Sequence, residues 1–158
     1  MSGNDRALQE VLGKALGALR RRERSSAELY DWLRERGCDE DLAEAAIAEL
    51  IGLGELDDER FAYAYAADKR DLSGWGSHRI AKALAERGIG IALAERAAAE
   101  PREAELERAV RLVETRGEDL SDDRGRGRAL AHLTRRGYEY ELAYDAVRSA
   151  AGARSRAA

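Results

Sequence analysis

The chain has 158 residues and a formal net charge of −4, from 27 Lys plus Arg against 31 Asp plus Glu. With 44% apolar and 37% charged residues, it is too apolar for a disordered chain and too charged for a membrane protein. Its 31 Ala and 24 Arg argue against an all-β fold, and its single Cys allows no internal disulfide, which suits a reducing, cytoplasmic setting.

Leu8, Val11, Leu12, Ala15, Leu16 and Leu19 recur at helical spacing and predict a first helix over about 5–22. Ser25 and Glu28 form a capping box that opens a second, about 26–36, and a third follows over about 40–53. Asp57, Asp58 and Glu59 favour a helix start, and Phe61, Ala62, Tyr65 and Ala66 share one face of a fourth helix over about 58–70. A fifth and a sixth are expected over about 77–87 and 91–99. Pro101 suits the first turn of a seventh, about 101–116, with Leu106, Ala109, Val110 and Val113 on its apolar face. The eighth and ninth cover about 124–136 and 139–151. Turn character is strongest in Asp71–Gly76 and Gly117–Asp123. The first residues, Asp5, Arg6 and Glu10 among them, have no apolar h-region, so no secretory leader is expected.

Three segments align without gaps. Each reads Arg-Gly, four variable residues, then Leu-Ala, with the glycines at Gly37, Gly88 and Gly137. A leucine lies four residues before each glycine (Leu33, Leu84, Leu133) and another five after it (Leu42, Leu93, Leu142). A glycine in the left-handed conformation ends a helix cleanly, and an arginine in the last turn complements the helix dipole. The slot after the glycine holds Cys38, Ile89 or Tyr138, so Cys38 reads as a small apolar staple rather than a reactive thiol. The chain is therefore expected to be all-α: an elongated, curved array of three tandem three-helix repeats over 1–54, 55–100 and 101–158, the last with a short C-terminal tail. Neighbouring repeats are expected to share apolar faces, as in solenoids.

Catalysis has little support. His78 and His132 are far apart, and no CxxC, HExxH, GxxxxGK[ST] or GxSxG is present. No catalytic residue, metal or cofactor is expected. Charge is patchy: Asp39–Glu59 holds nine acids and no base, and Arg124–Arg136 holds five arginines and no acid. Local potential of this kind steers binding whatever the net charge.

Gly54-Glu-Leu-Asp-Asp-Glu-Arg-Phe-Ala62, followed by Gly74-Trp-Gly-Ser-His-Arg-Ile80 and Arg87-Gly88-Ile89, resembles the RecX family of regulators of the RecA recombinase. The motif positions are Leu56, Asp57, Asp58, Arg60, Phe61, Gly76, Arg79 and Gly88. The resemblance covers roughly residues 7 to 150. It implies a non-enzymatic, monomeric protein that binds RecA, lies along the groove of the RecA–single-stranded DNA filament, and dampens its ATPase, strand-exchange and coprotease activities. Direct DNA contact would be weak, since this chain is net acidic. A free-standing helical DNA-binding protein and a generic helical scaffold are the alternatives.

Caps account for much of the motif. Asp57 fits an N-cap, with Leu56 and Phe61 packing across the helix start. Trp75 either stacks on a partner or covers a joint between helices. The expected partner contacts are Arg60, Lys69, Arg70, Trp75, Arg79, Lys82, Arg87, Arg126, Arg128, Arg135 and Arg136. Arg87 and Arg136 also read as C-terminal dipole partners, whereas Arg126 and Arg128 show no capping role. Positive potential is expected along the second and third repeats, fading toward the first, where Arg34 and Arg36 face the acidic stretch.

Overall fold

The computed structural model describes residues 2–157, and these form nine α-helices and no strand. In chain order they are α1 (Gly3–Arg21), α2 (Ser26–Glu35), α3 (Glu40–Gly52), α4 (Asp58–Ser73), α5 (Ser77–Glu86), α6 (Ile91–Ala98), α7 (Arg102–Arg116), α8 (Asp123–Arg135) and α9 (Tyr140–Ala157). Two ends differ from expectation. The α4 helix continues through Asp71–Ser73 and stops only where Gly74 turns left-handed at φ 65°. The α9 helix runs on through the expected tail, because nothing from Ala151 to Ala157 breaks it.

The repeated Arg-Gly turn has one geometry throughout. Gly37, Gly88 and Gly137 have φ 85°, 85° and 95°. In each, the amide after the glycine bonds back to the leucine four residues before it: Cys38 to Leu33, Ile89 to Leu84, Tyr138 to Leu133. This is a Schellman closure, which satisfies carbonyls that a bare helix end leaves open.

Each helix triplet buries its own core. Leu12, Leu29, Leu33, Ala46 and Leu50 build the first, Ala66, Ile80, Leu84, Ile89 and Ala97 the second, and Val113, Leu133, Tyr138, Leu142 and Val147 the third. The alanine of each Leu-Ala pair is the deeper residue, Ala43, Ala94 and Ala143 being 0%, 1% and 0% exposed. An alanine at that point lets the third helix of a triplet approach its neighbours closely.

The expected sharing of apolar faces between repeats does not occur. The three cores are separate, and the helix pairs in extensive contact lie within one triplet. The joints are narrow and polar instead. At the first, the buried Ser25 hydroxyl donates to the Arg87 carbonyl at 2.6 Å, the Ser26 amide donates to Asp58 Oδ1 at 2.7 Å, and Arg87 forks onto Glu28 at 3.1 and 3.0 Å. At the second, the Gly76 and His78 amides donate to the Arg136 and Gly137 carbonyls at 2.9 and 3.0 Å. The Ser77 amide there donates to Glu105 Oε1 at 3.0 Å. In both joints an acid from the next triplet caps the second helix of the one before. The exposed surface is 9551 Å², against about 7,900 Å² for a compact protein of this mass, so the molecule is elongated.

Candidate functional site

The second joint opens into a cleft of about 440 Å³ whose lining includes Trp75, Arg79, Lys82 and Arg135. Trp75 follows the left-handed Gly74, and Arg79 and Lys82 lie three apart on α5, so both cations point the same way. The Arg79 guanidinium stacks 4.1 Å from the Trp75 ring centre and donates to the Arg135 carbonyl at 3.3 Å. Lys69 Nζ approaches the same ring at 4.7 Å. Lys82 and Arg135 are exposed and, among the described residues, form no ion pair. Glu86 and His78 complete the polar rim. An indole flanked by cations suits anions and planar groups.

The Trp75 side chain packs against the second core, and its backbone carbonyl accepts from Arg108 of the third triplet at 3.3 Å. Arg108 forks onto Glu100 at 2.7 and 3.1 Å and donates to the Tyr138 hydroxyl at 3.0 Å. Burial disfavours the Arg108 charge, but the Glu100 carboxylate and Tyr138 outweigh it and raise its pKa. Burial pushes the Tyr138 phenol up, so its hydrogen remains to donate to the Gly74 carbonyl at 2.8 Å. These bonds fix the cleft floor.

The other expected contacts are placed differently. Arg70 pairs with Glu100 and donates to the Ala97 carbonyl at 2.8 Å, which ties α4 to the end of α6. Arg87 and Arg136 are not plain dipole partners. They latch onto the preceding triplet, Arg87 at Glu28 and Arg136 at the Ser73 carbonyl. Arg60 closes the turn after α3 through the Gly54 carbonyl at 3.2 Å. Arg126 pairs with Asp123 and donates to the Leu120 carbonyl at 2.8 Å, and Arg128 bonds Glu118 at 3.1 Å. Both therefore hold the α7–α8 loop, a role hidden by the acid-free run around them, because their acids precede it. His132 is half-buried. Burial lowers its pKa, and Arg116, Arg136 and Arg135 add to that.

The motif residues gather at the joints. Asp57 caps α4 by accepting from the Arg60 amide at 3.0 Å, and Asp58 caps α2. Leu56 enters the first core and Phe61 the second, with the Arg87 guanidinium 4.7 Å above the Phe61 ring. A Cβ on Gly76 would lie 2.6 Å from the Gly137 carbonyl.

Among the described residues Arg34 and Arg36 form no ion pair, and Arg36 shares a cleft with Asp39 of the acidic stretch. Arg34 donates to the Cys38 carbonyl at 3.0 Å, and Arg36 stacks 3.8 Å from the Trp32 ring centre. Arg21 and Arg24 reach the same ring at 5.8 and 5.6 Å, so three guanidiniums gather there on the first triplet. The Trp32–Arg36 spacing of one helical turn was the available signal, and its meeting with Arg21 and Arg24 depends on how α1 and α2 pack. Among the described residues, no group of three or more His, Cys, Asp or Glu is arranged to hold a metal, and no helix is long and apolar enough to cross a membrane.

Residues 12–50 match the family model of the first RecX three-helix domain, and residues 57–97 that of the second. The regulatory protein RecX of Mycobacterium sp. (strain KMS) is 33% identical over 140 residues, spanning 84% of this chain and 76% of that protein. That of Xanthomonas campestris pv. campestris (strain B100) is 37% identical over 133 residues, spanning 83% and 82%. The fold is similar to the crystal structure of RecX from Lactobacillus salivarius, with a TM-score of 0.83 and 23% identity over 92% of this chain and 97% of that one.

Proposed function

Since the chain belongs to the RecX family of regulatory proteins, we propose that it binds the RecA recombinase and its single-stranded DNA filament in the cytoplasm and inhibits them as a monomer. The activities it lowers are ATP hydrolysis, strand exchange and stimulated repressor cleavage. The observation that carries this reading is the cleft where Trp75, Arg79, Lys82 and Arg135 converge in an elongated molecule of this family. A filament groove presents protein and phosphates along its length, and cations beside an indole suit such a surface.

The mechanism needs no chemistry from this protein. An array of three units, divided near residues 54 and 100, spans several filament subunits. Binding across them favours one subunit arrangement over the others passed through during ATP turnover, so inhibition is a population shift. The reading is tested by titrating the protein into a recombinase ATPase assay on single-stranded DNA. Hydrolysis should fall as protein is added. Unchanged hydrolysis at saturating protein would refute inhibition.

A further inference from the structure

Among the described residues, the Arg-Gly turn of the first triplet docks on no other triplet. Arg87 and Arg136 occupy the slot just before the repeated glycine, and each latches onto the triplet before it. Arg36 holds the same slot but, among the described residues, bonds only within its own triplet, and nothing lies within 4 Å of a Cβ placed on Gly37. Its guanidinium folds back over Trp32 and donates to the Trp32 carbonyl at 3.3 Å.

Arg21 and Arg24 join it around that ring. Among the described residues, none of the three forms an ion pair. Glu28, the acid that acts on the Arg24 charge, is already held by Arg87, with Arg22 at 3.9 Å. Arg24 bonds the Ala18 carbonyl and Arg36 the Trp32 carbonyl, so helix-end capping engages only part of each guanidinium's five donors. Burial, and repulsion from Arg22 and Arg21, lower the Arg24 pKa. Trp32 and Arg36 also line a cleft of about 270 Å³ with Lys14, Glu10 and Asp39.

We propose that Arg21, Arg24 and Arg36 around Trp32 form a binding surface for single-stranded nucleic acid, independent of the recombinase. Phosphodiesters relieve the mutual repulsion of the guanidiniums, whose planar forks match phosphate oxygens. Guanidinium and indole planes stack on exposed bases, which a duplex keeps inside its own stack. The surface lies on the first triplet, away from the cleft of the second joint.

The test uses the full chain with no recombinase present. The probe is a labelled thymidine oligonucleotide of about twelve residues, followed by anisotropy across a salt series. The chain should bind it, and the Trp32 indole N–H signal should shift more than that of Trp75. Arg21→Gln with Arg36→Gln should weaken binding about tenfold and flatten the log–log salt slope by about 1.4. An abasic strand of equal length and a duplex should both bind less tightly. Trp32→Phe keeps an aromatic ring in place and should weaken binding less than Trp32→Leu. The proposal is overturned by no binding, by undiminished binding of the double variant, or by a shift confined to Trp75. Equal affinity for the abasic strand would reduce the surface to a phosphate site and overturn the single-strand assignment. Because the recombinase is absent from every arm, failure here leaves the filament reading standing, and the converse holds.

Discussion

Arg87 clasps Glu28 across 59 residues of sequence, with both carboxylate oxygens engaged at 3.1 and 3.0 Å. The same carboxylate accepts the Ser25 amide at 3.0 Å, so one acid closes a helix cap and a joint at once. Arg87→Ala should therefore loosen the first joint without dissolving either core. The cost should be about 2 kcal/mol, the scale of hydrogen bonds to charged groups. Hydrogen exchange should rise at residues 25–28 and 86–89 and stay slow at Leu50 and Ile80. Small-angle scattering should give a radius of gyration above the roughly 15 Å of a compact domain of this length, rising further in the variant. A compact value for the wild type would contradict the polar joints.

The repeated glycines separate two effects that usually coincide. All three have positive φ, which alone costs an alanine about 1–2 kcal/mol. Gly37 faces open space, whereas a Cβ on Gly88 would overlap Ala27 and one on Gly137 would overlap Arg79. Gly37→Ala should show the conformational cost alone. Gly88→Ala and Gly137→Ala should lose about 1–3 kcal/mol more through forced separation of the triplets. Chemical denaturation of the three variants checks the order, and equal losses would mean the joints yield freely.

The helices and turns were legible because their causes are local. The Ser25–Glu28 box, the Asp57 cap and the three Arg-Gly closures each act within a few residues, and each sits where the sequence places it. The roles of the arginines were not legible. Arg87 finds its partner 59 residues away and Arg136 finds its own 63 away, distances at which no spacing rule operates. Arg126 and Arg128 looked unpaired because Asp123 and Glu118 lie just upstream of the acid-free run. Trp75, Arg79 and Lys82 were visible as neighbours, but Arg135 joins them only because the α8–α9 turn docks on α5.

Acid should weaken the fold in two steps. Burial, with Arg116, Arg136 and Arg135 nearby, holds His132 below its ordinary value of 6.5, and Arg116 lies 3.3 Å from its Nδ1. The unfolded chain takes up that proton first, so stability falls as pH drops below about 6.5. Burial works against the Glu28 carboxylate, but the Ser25 amide and Arg87 outweigh it and hold its carboxyl below 4.5. Its contribution is complete above that value and is lost as pH falls further. Melting curves from about pH 8 to about pH 2, a range that brackets both groups, should show both steps. His132→Gln should remove the upper one, and a variant that keeps it would assign the step elsewhere.

Charge reversal should separate the arginines that build the molecule from the cations that face outward. Arg126 and Arg128 brace the α7–α8 loop through Asp123, Glu118 and the Leu120 carbonyl. Their conversion to Glu places new acids beside old ones and frees a carbonyl, so the Tm should fall. Lys82 and Arg135 have no such duty. Lys82→Glu with Arg135→Glu should leave stability within about 0.5 kcal/mol of wild type, as surface changes do. It should nevertheless weaken binding to the RecA–single-stranded DNA filament and flatten its salt dependence by about 0.7 for each phosphate no longer neutralised. If that variant bound as tightly as wild type across a salt series, the cleft at the second joint would not be the contact surface, and the filament would have to be met elsewhere on the array.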